Sequence, residues 1–123
     1  MKAYTDLEQN QKLVEILPHE SADMYYHNRI DIPDNFPLPI EWKRGLPLLS
    51  QEIPCWSLAA LIRALPKNLD IGRPVLATNY RGYYWIEYFD EYMKETNLTS
   101  KIFKNPIDAC YEMILKLHEQ NLL

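Results

Sequence analysis

The stretch RPVLATNYRGYYWIEYF, residues 73–89, decides how this chain is read. Val, Thr, Tyr, Trp, Ile and Phe suit strands. At its centre, Asn79-Tyr80-Arg81-Gly82 has the residues of a tight turn. A three-residue loop ending on a left-handed glycine is a common hairpin connection. Tyr80, Arg81 and Gly82 then form the loop, and Asn79 pairs with Tyr83. The register follows: Thr78 opposes Tyr84, Ala77 opposes Trp85, Leu76 opposes Ile86 and Val75 opposes Glu87. Side-chain alternation then separates two faces. Leu76, Thr78, Tyr84, Ile86 and Tyr88 carry no charge and are assigned to the core. Val75, Ala77, Tyr83, Trp85, Glu87 and Phe89 look the other way. A slip of one residue would exchange the faces, so the assignment rests on the turn.

Helices are expected on both sides of this hairpin. NPIDACYEMILKLHEQNLL (105–123) opens with Asn105 as N-cap, Pro106 in the first position and Asp108 in the first turn. Ile107, Cys110, Ile114 and Leu117 recur every three or four residues, which predicts a helix over about 106–120. PCWSLAALIRALPK predicts a second helix over 54–65, with Pro54 in its first turn and Pro66 closing it. TDLEQNQKLVEIL predicts a third over 6–17, with Thr5 and Glu8 as a capping box and Pro18 as its stop. Pro18 also suits the first position of a short fourth helix through Ala22, Met24, Tyr25 and Tyr26.

Residues 31–54 hold five of the nine prolines, which rules out a continuous helix or a central strand. The segment also carries Ile32, Phe36, Leu38, Ile40, Trp42, Leu46, Leu48 and Leu49, more apolar weight than a disordered linker bears. It is read as an extended segment laid across the core, with one short edge strand. The fold class is therefore α+β: three to four helices packed on a small antiparallel sheet built around a β-hairpin, in one domain over 1–123.

Bulk composition narrows the function. The chain is 47% apolar and 24% charged, ordinary for a globular protein. Its net charge of −4 brings no general attraction to nucleic acid or to acidic membranes. The middle third is the exception: residues 54–86 hold four basic residues (Arg63, Lys67, Arg73, Arg81) and one acidic. No apolar run approaches the ~20 residues of a membrane span, and the N-terminus lacks a signal peptide's apolar stretch. A cytoplasmic protein is expected. Cys55 and Cys110, both placed on helices in apolar settings, read as buried free thiols.

Catalytic and cofactor signals are absent. There is no phosphate-binding glycine loop and no paired-cysteine metal site. His19, Asp23 and His27 stand at i, i+4 and i+8 and would share one helix face, a candidate metal set. Their span of about 12 Å is too long for both histidines to hold one ion easily. Cys55 and His118 combine as nucleophile and base on paper only, since an apolar setting disfavours the thiolate. No cofactor is expected. Tyr83, Trp85 and Phe89, with Arg81 in the turn, are the candidate partner-binding residues, because an exposed aromatic patch marks an interaction site. The first alternative is nucleic-acid binding through Arg73 and Arg81, opposed by Glu87, Asp90 and Glu91 in the same stretch. The second is a metal protein or small enzyme using His19, Asp23 and His27.

Three runs, LPHESADMYYH, IPCWSLAALIRALPK and NPIDACYEMILKLHEQNLL, carry a family resemblance. They resemble short proteins of gut anaerobic bacteria that are often encoded in prophage or other mobile elements and have no established activity. The resemblance covers about half the chain and is most specific in the C-terminal run. It implies an accessory role in such an element and assigns no functional residues. The expectation is a non-enzymatic protein-binding or accessory protein, acting on a protein partner or as a homo-oligomer.

Overall fold

Asp6, rather than Thr5, caps the first helix. The computed structural model describes residues 2–27, 36–68 and 70–123. Helix α1 (Leu7–Leu13) begins with Asp6 accepting from the Gln9 N–H, while the Gln9 side chain accepts from the Asp6 N–H. This is the expected capping box moved by one residue. The cause is tertiary. Thr5 is fully buried, its N–H donates to the Trp56 carbonyl at 2.9 Å, and its hydroxyl accepts the Trp56 N–H at 3.0 Å. Those bonds tie Thr5 to a distant strand end and leave the cap to its neighbour. The helix also ends earlier than 17. Glu15 and Ile16 donate to Lys12 and Leu13, three residues back, so the chain tightens before Pro18.

The chain falls into two compact units, Ala3–Ala60 and Met1–Lys2 with Leu61–Leu123. The first holds a three-stranded antiparallel sheet where a short helix is expected. After a 3-10 turn at His19–Ser21, strand β1 (Met24–His27) runs between β2 (Leu38–Pro39) and β3 (Glu52–Cys55). Tyr25 pairs with Leu38 on one side and with Pro54 on the other. These partners lie far along the chain, and their backbone bonds outweigh a weak local helix signal. Ile32 and Pro33 lie outside the described residues.

Pro54 and Cys55 therefore belong to a strand, and the helix expected from 54 begins later, as α2 (Leu58–Ala64). Asp23 sets that start. Its carboxylate accepts the Ser57 N–H at 2.9 Å and the Ser57 hydroxyl, and Ser57 Oγ accepts the Ala60 N–H at 3.3 Å. Leu13, Leu17, Tyr25, Tyr26, Cys55 and Trp56 form this unit's core. The Trp56 indole N–H is satisfied by Ser21 Oγ at 2.9 Å.

The second unit is the hairpin and its helix. Strands β4 (Arg73–Thr78), β5 (Tyr84–Phe89) and β6 (Glu95–Thr99) form an antiparallel sheet in chain order. Thr78 pairs with Tyr84, Ala77 with Trp85, Leu76 with Ile86 and Val75 with Glu87, the register that the turn chemistry requires. Asn79 donates to the Tyr83 carbonyl at 3.2 Å, and its side chain accepts from the Arg81 and Tyr83 N–H groups. Gly82 is left-handed at φ 81°.

Helix α3 (Pro106–Glu119) has the expected cap: Asn105 accepts the Asp108 N–H at 2.9 Å. It packs on β5, burying Ile107, Cys110, Met113, Ile114 and Leu117 with Ile86 and Tyr88. Fully burying each such side chain contributes about 1.5–3 kcal/mol. The chain is thus α+β, with three α-helices and two small sheets among the described residues where one sheet was expected. Pro39, Pro54 and Pro74 all lie in edge strands, where a missing N–H interrupts no ladder.

Candidate interaction surfaces

The expected partner-binding residues sit on the outward face of the second sheet. Tyr83, Trp85 and Phe89 are half-buried, and Arg81 is exposed in the turn with its guanidinium 5.5 Å from the Tyr80 ring. The Trp85 indole N–H faces Glu87 Oε2 at 3.4 Å, so the carboxylate on this face is turned toward an aromatic neighbour. Ile86 and Tyr88 on the opposite face are buried. Parity separates the two sets along β5 at Ile86 and Tyr88, but not at the turn end of the hairpin, where Tyr84, assigned to the core, is only half-buried and its partner Thr78 is exposed.

Arg73 and Arg81 do not form one basic patch. Arg73 starts β4 and Arg81 lies beyond its far end, so roughly 20 Å of strand separates them at ~3.3 Å per residue. Arg73 reaches Met93 Sδ at 3.1 Å. It lines a cleft of about 470 Å³ with Lys67, Asn68, Gly72 and Glu91, where a carboxylate accompanies the two cations.

His19, Asp23 and His27 do not share a helix face. His19 lies in the 3-10 turn, Asp23 precedes β1 and holds Ser57, and His27 ends β1. His27 Nε2 is 3.8 Å from Glu52 Oε2. Among the described residues, no three His, Cys, Asp or Glu side chains gather as a metal-binding set. Cys55 lies on β3, not on a helix, and Cys110 lies on α3; both thiols are free and buried. Burial pushes Cys55 up, against opposing bonds from Thr5 and Asn10, and pushes Cys110 up to about 12. Both are thus held as thiols. His118 is exposed in the last turn of α3.

The more exposed apolar surface is one that sequence reasoning placed in the core. In the segment between β1 and β3, Phe36 is 65% exposed, Trp42 64%, Leu46 68% and Leu49 52%. Two charged residues of the same region, Lys43 and Glu52, are turned inward, while Glu41 and Arg44 stay exposed. The Glu52 side chain is buried, and its Oε1 accepts from Lys43 Nζ at 2.6 Å and the Leu49 N–H at 2.7 Å. Lys43 is also largely covered, with its ammonium 5.5 Å from the Tyr25 ring. Burial alone would raise the Glu52 carboxyl. Hydrogen bonds from Lys43 and the Leu49 N–H, with the charges of Lys43 and His27, more than reverse this and hold it below its ordinary value.

Around the Lys43–Glu52 pair the usual preference is inverted, with this ion pair in and large apolar groups out. The backbone enforces it. Ile40 N–H donates to the Asp23 carbonyl at 2.8 Å, which begins a 3-10 turn at Ile40–Lys43. Arg44 and Gly45 follow at φ 52° and 82°. Consecutive left-handed residues reverse the chain and carry Leu46 outward; an arginine there stores strain of the kind seen at functional sites. Proline density signalled this segment's rigidity, and "EWKRG" placed a Trp among charges at a turn. The direction of the side chains was not readable, because Glu52 fixes it from outside the segment.

Among the described residues, no helix is long and apolar enough to cross a membrane. Comparison of the chain with protein-family models, with curated proteins and with solved structures finds no match.

Proposed function

We propose that this chain is a non-enzymatic binding protein that docks a protein partner on the apolar surface of residues 36–49. One observation carries the reading: Phe36, Trp42, Leu46 and Leu49 are each more than half exposed within fourteen residues, while Lys43 and Glu52 are covered. A surface that covers Lys43 and Glu52 and presents Trp, Phe and Leu matches the central anchors of an interface, with the exposed Glu41 and Arg44 as a polar rim. The half-buried Tyr83, Trp85 and Phe89 face offers less accessible apolar surface. The resemblance is to short proteins with no established activity, often encoded in mobile elements, and on it we place the partner in the same element.

The test is site-specific photo-crosslinking in the source cells. A photoreactive residue replacing Leu46 should give one discrete protein adduct, and the same group replacing the exposed Tyr80 should give none. Equal adducts from both positions, or none from Leu46, reject the reading.

A further inference from the structure

The second sheet ends on an edge that is unusually open. Strand β4 pairs with β5 on one side, and among the described residues no strand pairs with the other. The direction of its backbone groups follows from the ladder. Asn79 and Tyr83 form a hydrogen-bonded pair. The next pair, Thr78 with Tyr84, is therefore a non-hydrogen-bonded one. Tyr84 confirms this by exchanging both its backbone bonds with Phe103, at 2.7 and 2.8 Å, on the far side of β5. Ile86 likewise turns its carbonyl to the Ser100 N–H and its N–H to Ser100 Oγ. The N–H and C=O groups of Leu76 and Thr78 accordingly point away from β5, along the open edge.

Natural edges are blunted by charge, proline or a bulge. Here the only such residues, Arg73 and Pro74, stand at one end, and the run from Pro74 to Tyr80 holds no charged side chain. Val75 and Thr78 are exposed.

We infer that β4 is a self-pairing edge, and that its occupant is β4 of a second copy, antiparallel about a two-fold axis at Ala77. The register is restricted by the strand itself. Placing Ala77 opposite Ala77 of the partner makes Leu76 and Thr78 hydrogen-bonded partners on both sides of the axis, so four backbone bonds form from groups already aimed outward. Pairing Leu76 with Leu76 instead would set Pro74 against Thr78 and leave a carbonyl without its N–H, since proline has none. Ala77 on the axis also fits sterically. A non-hydrogen-bonded pair brings Cα atoms to about 4.5 Å, where small side chains meet without displacement. No like charges oppose one another along Pro74–Tyr80; the like-charged pair this register sets, Arg73 against the partner's Arg81, falls at the turn, past the paired run. The product is a continuous six-stranded sheet in which the Tyr83, Trp85 and Phe89 faces of two copies adjoin. The pairing uses none of residues 36–49, and the two proposals fail independently.

Cysteine crosslinking and sedimentation test the inference together. Ala77→Cys should form an intermolecular disulfide under mild oxidation, because the paired Cα distance lies within the disulfide range. Val75→Cys, which faces Asn79 of the partner, should crosslink at least ~10-fold more slowly in the same register. The native thiols are buried and do not compete. The unmodified protein should show a concentration-dependent dimer in sedimentation velocity, and Ala77→Lys should weaken it by ~100-fold through two ammonium groups on the axis. Far-ultraviolet circular dichroism checks that each variant is folded. A monomer at every concentration overturns the pairing, and equal crosslinking at 75 and 77 overturns the register.

Discussion

The two sheets solve the same problem with different forces. The β4-β5-β6 sheet is joined by short turns and backed by α3, with Ile86 and Tyr88 buried against Ile107, Cys110 and Ile114. The β2-β1-β3 sheet joins strands far apart in sequence and is pinned by directional polar bonds: Asp23 to Ser57, Lys43 to Glu52, Thr5 to Trp56. Apolar packing is non-directional, so the second unit can satisfy its core only by covering it. Polar pinning fixes direction, so the first unit can hold Trp42 and Leu46 outward against their own preference for burial. The difference suggests why the exposed Trp42 and Leu46 belong to the unit held by polar bonds.

The packed sheet should break most sharply at a backbone contact. Gly72 has φ 85°, and an added Cβ would lie 2.0 Å from the Phe89 carbonyl oxygen. That oxygen is backbone in the strand pair Arg73–Phe89 and cannot move alone. Gly72→Ala therefore combines left-handed strain with a clash and should cost roughly 3 kcal/mol or more, read from the urea midpoint. A loss under 1 kcal/mol would mean that the end of β4 frays without consequence, and the packed sheet would be less cooperative than argued.

The same contrast explains what was legible in the sequence. Asn105, Pro106 and Asp108 act within one turn of chain, and Asn79 and Gly82 within one loop, so α3 and the hairpin register could be written from local chemistry. Tyr25 and Tyr26 carry no local sign that they pair with residues 53–54, and a helical reading of 18–26 was as consistent with their spacing. Thr5 is a good N-cap by type, but its contact with Trp56 lies 51 residues away. The outward turn of 36–49 was invisible for the same reason. Its cause is a buried carboxylate beyond the segment, and hydrophobicity alone argues for the opposite direction. Tyr83, Trp85 and Phe89 were separable from Ile86 and Tyr88 by parity, which needs only a correct turn.

The pinned sheet should respond to charge and to pH. Glu52→Gln removes the anion that holds Lys43 and the Leu49 N–H, and should cost roughly 2 kcal/mol at neutral pH. The folded carboxyl lies below its ordinary value of 4.5, so its stabilising contribution is full above that value. As pH falls through the lower folded value, the unfolded state binds the proton first and the contribution disappears. Urea unfolding of wild type and Glu52→Gln should thus differ at pH 7 and converge as pH falls below 4.5 through the lower folded value. Parallel curves over that range would show that Glu52 holds the segment by shape alone.

The smallest effect is expected where the side chain looks most important by composition. Leu46→Ser should change stability by less than about 0.5 kcal/mol, because a leucine already two-thirds exposed gives up little burial when shortened. A buried leucine would lose several times that, about 2–5 kcal/mol for truncation to alanine. The urea midpoint therefore distinguishes two roles for the same residue type in one molecule. Leu61, fully buried, serves the fold. Leu46 serves it hardly at all, and the segment's polar anchors maintain its position. If Leu46→Ser unfolds the protein early, residues 36–49 are part of the core in solution and the exposed surface is not available to a partner. If stability holds while the crosslinked adduct is lost, the residue's contribution lies in binding alone.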